Sequence, residues 1–361
     1  MLVILSFSRD PHAAAVQLCL ADRSIPSITL FVDRLWTTAS IQCSWKSGFA
    51  GPTVSAECNA CLQGPFALWL RRPNYFNHIL PHSQKGQFAR REWRVTIDWL
   101  VSQLSASAAT TLNSLTMLQL AKSKPAQLEA ACRLGMDIPE TLISNSRSEI
   151  EAFVAGRPAI CKSFSPYSVG YGAEQRVFYT RSLSREDVRD LDEALGVPLI
   201  VQERIEKLYE IRAAFVGDRV FAVKIPANYE DTKSVDWREH ELSDLDIEPI
   251  TLTDSIVAHC RKMLDQFSLK CASFDFIVNK DGRYFFLEFN EQGNFLFIDH
   301  VYGENVVLGA FCDLVAESLH LNGREQEPSH PDAVIERVSR LFELESQSNS
   351  EPFFRRMPCA A

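Results

Sequence analysis

Phe274-Asp275-Phe276-Ile277-Val278-Asn279-Lys280-Asp281-Gly282-Arg283-Tyr284-Phe285-Phe286-Leu287-Glu288-Phe289-Asn290 is the stretch that decides the fold. Two apolar, β-prone runs flank Asp281-Gly282, and Asp-Gly in that setting is the strongest short-range hairpin signal. If those two residues form the loop, Asp275 lies directly across from Glu288. Strand side chains alternate, so Asn290 shares the face of Glu288. Phe274, Phe276 and Val278 then pair with Phe289, Leu287 and Phe285 on the other, buried face.

Two carboxylates directly opposed on neighbouring strands repel and weaken the sheet. A divalent cation removes the repulsion. An all-oxygen set of Asp275, Glu288 and Asn290 suits Mg²⁺, which keeps waters and shares its shell with substrate phosphates. The competing reading is a solvated face with incidental acids. The flanking phenylalanines, and the lack of Lys or Arg among the facing positions, weigh against it.

Around this hairpin the 361-residue chain has room for two or three domains of roughly 150 residues. Apolar residues make up 46% and charged residues 23%, which excludes wholesale disorder. A net charge of −9 argues against a general nucleic-acid or membrane-surface binder. No apolar run approaches the ~18 residues of a membrane span. Leu2 to Phe7 is short and meets Arg9 and Asp10, so it reads as a strand rather than a secretory signal.

The ten cysteines are scattered, several within apolar runs, which fits reduced thiols in a cytoplasmic protein. Cys58 and Cys61 with His78 and His82 have zinc-finger spacing. The Phe66–Leu70 run between them looks like a buried strand, which favours a plain loop with two thiols.

Upstream, a strand at 2–7, a helix at 11–21 and a strand at 28–32 suggest a βαβ start and a parallel sheet. It carries no GxGxxG, so dinucleotide binding has no support. Residues 37–65 form an irregular excursion. Phe88, Trp93, Ile97, Leu100, Val101 and Leu104 recur at helical spacing over 87–105. Pro125 opens a further helix. The short strand 159–162 ends in Lys162, ahead of a Ser-, Tyr- and Gly-rich loop. Ser184 and Asp187 cap a helix over 184–195.

Strands at 199–203, 210–216 and 219–225 follow, with Gly217-Asp218 as a tight turn. Helices are expected at 253–267, 304–320 and near 332–345, then a tail without regular structure. The division expected is 1–110, 111–200, 201–320 and an extension at 321–361.

These features resemble the ATP-grasp enzymes. Asp275, Glu288 and Asn290 are similar to that family's metal-binding hairpin. Lys124 and Lys162 match its two phosphate-contacting lysines, with Lys122 a close competitor for the first. Val201-Gln202-Glu203-Arg204-Ile205 resembles its adenine-contacting hinge, and Glu210 stands where the family has a ribose-binding acid. The resemblance covers residues 1 to about 320, and several motifs in the right order are far more specific than one. It implies an α/β (α+β) ATP-grasp fold with an N-terminal βαβ-type substrate domain, and ATP and Mg²⁺ as cofactors.

A narrower resemblance rests on Trp69-Leu70-Arg71-Arg72-Pro73, Gln127-Leu128, Ile138–Asn145, Glu210-Ile211-Arg212, Asp236-Trp237-Arg238 and Phe286–Phe295. Together they look like the ATP-grasp ribosomal-peptide maturases, the microviridin-type or graspetide macrocyclases. One departure is Glu291, where that family often has proline.

The resemblance implies an ADP-forming carboxylate ligase. It would phosphorylate Asp or Glu side chains of a precursor peptide and join them to Thr or Ser hydroxyls or a Lys amine. Arg212 and Arg238 would hold the reacting phosphoryl and carboxylate groups, while Arg71, Arg72 and Asp236 would face the substrate. Glu186, Asp190 and Glu193 would offer an acidic face to a basic leader, against the plainer reading of a solvated helix. The implied partner is a precursor peptide with leader and core, and a homodimer is allowed for. Glu351–Met357 resembles the Pro-Phe-Phe-x-Arg element of such leaders, which suggests that the tail can occupy the leader site. The alternatives are a ligase of free amino acids or small peptides, similar to glutathione synthetase or D-alanine ligase, and a non-catalytic ATP- or peptide-binding module.

Overall fold

The protein is seen in a computed structural model that describes residues 1–34, 65–73, 84–164, 168–169, 176–177, 180–189, 196–227, 236–240, 242–320, 330–347 and 354–357. The chain opens with β1 (Leu2–Ser6), α1 (Pro11–Asp22), β2 (Ser27–Phe31), β3 (Ala67–Leu70), α2 (Gln84–Ser107) and β4 (Thr110–Thr111). Next come α3 (Leu115–Ala121), α4 (Lys124–Arg133), β5 (Thr141–Ser144), α5 (Arg147–Ala155), β6 (Ala159–Lys162), β7 (Ser168–Val169), β8 (Arg176–Val177), β9 (Arg181–Leu183), α6 (Arg185–Arg189) and β10 (Leu199–Glu203). The remainder holds β11 (Lys207–Val216), β12 (Arg219–Pro226), β13 (Glu248–Ile250), α7 (Asp254–Gln266), β14 (Cys271–Asn279), β15 (Tyr284–Asn290), α8 (Leu296–Tyr302), α9 (Val306–Ser318), α10 (Pro331–Gln347) and β16 (Phe354–Met357).

Three larger sheets organise these elements. The first has the order β16-β2-β1-β3-β4, with β1 to β4 parallel. Every residue of β1, β2 and β3 is buried, as expected for parallel strands covered on both faces. The second is antiparallel, in the order β5-β10-β6-β9. The third is antiparallel, in the order β13-β12-β11-β14-β15. Val216 pairs with Arg219, so Gly217-Asp218 is the expected two-residue turn, with Gly217 at φ +54°.

The β14–β15 hairpin differs from its sequence reading in two places that cancel. The loop is three residues, Lys280-Asp281-Gly282, closed by Asn279 N donating to the Arg283 carbonyl at 3.1 Å. Gly282 takes φ +78°, the left-handed position that ends such loops. The near strands therefore pair Val278 with Tyr284 and Phe276 with Phe286, one residue off the expected register. An irregularity between Asp275 and Phe276 then absorbs Leu287 and restores Asp275 opposite Glu288. Phe286 is consequently fully buried, and Leu287 is not part of the core.

Other expectations also change. Ile97, Leu100, Val101 and Leu104 of α2 are buried, but Phe88 is 67% exposed. Ser184 N donates to Asp187 Oδ2 at 2.7 Å and Asp187 N donates to Ser184 Oγ at 3.2 Å, the reciprocal cap read from sequence. The helix that it starts is described over Arg185–Arg189. Asp190, Glu193, the zinc-like Cys58, Cys61, His78 and His82, and residues 37–64 lie outside the described residues. The tail is not wholly irregular: β16 runs antiparallel to β2, with Phe354 opposite Leu30, and extends the first sheet. No helix among the described residues is long and apolar enough to cross a membrane.

The buried face of the third sheet is an aromatic cluster. Phe274 sits 5.1 Å from Phe215 and 5.4 Å from Phe289, ring centre to ring centre. Phe274→Ala should cost about 3–5 kcal/mol, lost contact plus cavity, read from the urea unfolding midpoint. A loss below about 1 kcal/mol would contradict this placement.

Candidate active site

The opposite face of the third sheet carries the acids. Arg212 on β11 is in register with Asp275 on β14, which is in register with Glu288 on β15. Arg212 Nη1 donates to both Asp275 oxygens, at 3.0 and 2.7 Å. Lys124 Nζ lies 3.0 Å from Glu288 Oε2 and donates to the Ser163 carbonyl at 3.2 Å. Lys162, ending β6, and Arg238 also act on Glu288 by charge. Four cations thus face two carboxylates.

The two acids are not alike. Burial pushes Asp275 up to about 6, with Arg212 opposing and Glu288 adding to the rise. Burial would also raise Glu288, but Lys124, Lys162 and Arg238 outweigh it and hold the carboxyl at about 2. Burial lowers the Lys162 ammonium from its ordinary value, against the pull of Glu288. Asn290 shares this strand face, and its Oδ1 accepts from Gln292 N at 2.9 Å. Among the described residues no three His, Cys, Asp or Glu side chains cluster as a metal site. Two carboxylates and an amide suit a cation that completes its shell with water and phosphate, so the donor set fits Mg²⁺.

Local structure explains how Lys124 reaches Glu288. Ser123 caps α4 by accepting from Ala126 N, with Pro125 in the first turn. Gln127, one turn on, clamps the edge of β15: its Nε2 donates to the Phe289 carbonyl at 2.9 Å and its Oε1 accepts from Phe289 N at 2.9 Å. The side-chain amide thus does for the edge strand what another strand would. Lys122 instead sits 3.9 Å from Glu291 and is 43% exposed, so Lys124 is the lysine at the hairpin acid.

Two expected substrate contacts are reassigned. Arg71 does not face a cleft: its side chain is 2% exposed. Its Nε donates to Asp10 at 3.3 Å, Nη1 to the Gln292 carbonyl, and Nη2 to Asn294 Oδ1 at 2.7 Å. Burial pulls it down to about 10, with Asp10 opposing. Arg72 keeps partial exposure, with Nη2 3.5 Å from Asn294 Oδ1.

Asp236 is 4% exposed and grips Arg238: it accepts from Nε at 2.8 Å and Nη2 at 2.7 Å. The short 3₁₀ turn Trp237–Glu239 that carries Arg238 is tied to the second sheet by Arg181 and Glu239, 2.9 Å apart. Trp237 leans on Phe297 of α8, with ring centres 5.7 Å apart. Sequence could pair Asp236 with Arg238 by spacing, but not tell that their bond is internal.

The residues expected from sequence to contact nucleotide lie where β10 passes into β11. Gln202 is buried, its Nε2 donating to Thr141 Oγ1 at 2.9 Å, and its Oε1 has no hydrogen-bond partner among the described residues. Glu203 and Ile205 are half-buried. Glu210 is buried, its Oε1 2.8 Å from Lys207 Nζ. Glu186 is exposed on α6.

No protein-family model matches the chain, and no curated protein does. Solved structures do. The macrocyclase MdnC of Microcystis aeruginosa MRC, bound with precursor peptide MdnA, superposes with a TM-score of 0.74 at 25% identity, over 88% of this chain and 100% of that one. A RiPP-associated ATP-grasp ligase of Chryseobacterium gregarium, in complex with ADP and a leader and core peptide, gives 0.73 at 21% identity, over 90% and 99%. The ATP-grasp ligase PsnB with a minimal precursor gives 0.68 at 21% identity, over 88% and 99%. The chain has the ATP-grasp fold. Lys124 and Lys162 both act on Glu288 of the hairpin, and Lys162 also feels Glu210, just after the β10–β11 connection.

Several residues at this centre carried no usable signal. Gln127 was visible only as part of a motif, without a role. His12 Nε2 accepts from Phe295 N at 3.1 Å, which fixes the loop after Asn290, and nothing local in sequence links positions so far apart.

The acids set opposite pH dependences in metal-free protein. The folded pKa of Asp275, about 6, lies above its ordinary 3.8. The stability it contributes is therefore full below 3.8 and lost as pH rises through about 6. Glu288 lies below its ordinary 4.5, so its contribution is present above 4.5 and lost as pH falls through about 2. Each is on the order of 3 kcal/mol. Urea midpoints against pH in a chelator should lose the first slope in Asp275→Asn and the second in Glu288→Gln. Unchanged slopes in both variants would refute this electrostatic picture.

Proposed function

We propose that this protein is an ATP-dependent, ADP-forming carboxylate ligase acting on a ribosomal precursor peptide. It phosphorylates Asp or Glu side chains of the peptide and joins them to Thr or Ser hydroxyls or a Lys amine. The observation that carries this reading is the facing pair Asp275 and Glu288 ringed by Lys124, Lys162, Arg212 and Arg238. Such a site neutralises a polyphosphate and offers no nucleophile of its own, which is what phosphoryl transfer to a carboxylate needs. The likeness to a macrocyclase bound with its precursor peptide supports a peptide rather than a free amino acid as substrate.

Each residue then has a task. Mg²⁺ held by Asp275, Glu288 and Asn290 would supply charge neutralisation on phosphate oxygens. Lys124 and Lys162 hold phosphates as point charges. The unpaired Oε1 of Gln202 is an acceptor suited to an adenine amine, beside the hinge at Glu203 and Ile205. Glu210, steadied by Lys207, accepts from ribose hydroxyls.

Arg212 and Arg238 orient the substrate carboxylate and the transferring phosphoryl group. The carboxylate oxygen attacks the terminal phosphorus and ADP leaves. A hydroxyl or amine then attacks the acyl carbon and phosphate leaves. Asp236 and Arg71 act as positioning residues. Residues 1–110 serve as the substrate domain, 111–200 as the central lid and 201–320 as the catalytic unit, with 321–361 appended. Arg72 contacts the peptide, and the face of Glu186, Asp190 and Glu193 receives a basic leader.

With a peptide bearing a basic leader and a core rich in Thr, Ser, Asp and Glu, the products should be ADP, phosphate and a peptide short of one water per bond. AMP and pyrophosphate as products would defeat the proposal, as would turnover of free amino acids alone. Glu288→Gln should lower turnover about 100-fold or more. Lys162→Ala should weaken ATP binding by ~10-fold, or about 1.4 kcal/mol.

Asp236→Asn tests positioning. It removes charge but keeps shape, so turnover should fall ~10-fold while calorimetry finds the same ATP affinity. An equal loss in both would place Asp236 in nucleotide binding instead.

A further inference from the structure

Away from the acid hairpin, a cavity of about 350 Å³ opens among α1, α9, α10 and the start of β12. Its lining includes Cys19, Arg23, Arg219, Asp313 and Arg337. Cys19 projects from α1. Behind it, on α9, lies Cys312, fully buried and in the same apolar cluster. The two helices pack against each other, and each thiol shifts the titration of the other.

The setting of Cys19 differs from that of the other described cysteines. Burial pushes the Cys271 thiol up to about 12 against Asn113, Arg71 and Lys270, and it raises Cys161. Such thiols are poor nucleophiles. Cys19 instead lies below its ordinary value: the neighbouring Cys312 thiol lowers it, burial opposes, and Arg23 lowers it further against Asp22 and Asp313. Cys312 is pushed well up by burial, so it is the partner that keeps its proton.

Arg23 is fixed in place for this. Its Nη1 pairs with Asp313, and its Nη2 donates to the Gly309 carbonyl at 3.4 Å. The Arg23 Nε–H is buried with no hydrogen-bond partner among the described residues, and Cys19 is the first group whose charge favours this guanidinium. A thiolate at Cys19 adds a second negative partner to the one that Asp313 supplies. A reachable thiol with depressed pKa, a fixed cation and a neighbouring thiol are the ingredients of a peroxide-reactive pair.

We propose that Cys19 and Cys312 are a hydroperoxide-oxidised pair in which Cys19 reacts first and Cys312 resolves it, giving a disulfide that ties α1 to α9. The Cys19 thiolate attacks one peroxide oxygen, the O–O bond breaks, and hydroxide leaves. Cys19 is oxidised to a sulfenic acid. The Cys312 sulfur then attacks the Cys19 sulfur and the S–O bond breaks. The Cys312 proton leaves with the departing hydroxide as water. Two thiols and one peroxide thus yield one disulfide and two waters.

The test needs neither nucleotide nor peptide, so it stands or falls apart from the ligase reading. Reduced full-length protein is treated with a small excess of hydrogen peroxide, alkylated under denaturing conditions and digested without reduction. The expected product is about 2 Da lighter, with the Cys19 and Cys312 peptides cross-linked and released by dithiothreitol. In Cys312→Ser, dimedone should trap a sulfenic acid at Cys19. In Cys19→Ser, Cys312 should stay fully alkylatable. Oxidation of the exposed Cys132 before Cys19 would overturn the proposal. So would a Cys19 sulfinic acid in wild-type protein with no cross-linked peptide.

Discussion

Asp275 and Glu288 face each other across two hydrogen-bonded strands, and in a largely buried place that repulsion must be answered. The surroundings answer it with cations from different parts of the chain: Arg212 from the neighbouring strand, Lys124 from a helix start, Lys162 from the second sheet and Arg238 from a short turn. Because the cations crowd Glu288, that acid stays ionised, while Asp275 is left able to take a proton near neutrality. A metal ion and a polyphosphate fit such a site together, since one answers the acids and the other the excess of cations.

Holding those charges requires clamps that bind nothing themselves. Gln127 bonds both backbone groups of Phe289 and so fixes α4 against β15, one residue from Glu288. The loop after Asn290 is gripped by Arg71 and His12 from the first sheet's side and by Arg212 from below. Asn113 adds a bond to the Glu291 carbonyl at 3.0 Å. The first sheet therefore acts on the centre through buried hydrogen bonds, each costly to leave unmade. The centre is built jointly by both ends of the chain.

Much of this was legible in the sequence, though not always for the right reason. The opposition of Asp275 and Glu288 came from assuming a two-residue loop. The true loop has three residues, and a bulge at Leu287 restores the register. Alternation of side chains carries no record of a bulge, because the extra residue exchanges Phe286 for another apolar neighbour. Arg71 was assigned to the substrate cleft by family resemblance alone, and its three acceptors lie far off in sequence. Asp236 was misread similarly, since spacing cannot tell an internal ion pair from two groups aimed at a ligand.

By itself the sequence determined the parallel first sheet, the acid hairpin, the lysine ending β6 and the two-residue turn after Val216, because each follows from local periodicity, turn chemistry or a cap. Only the tertiary structure decided which lysine meets Glu288, that Arg71 and Asp236 face inward, that the tail strand completes the first sheet, and that Cys19 lies against Cys312. Those outcomes depend on burial and, Asp236 apart, on partners far away in the sequence, and a local pattern holds no information about either.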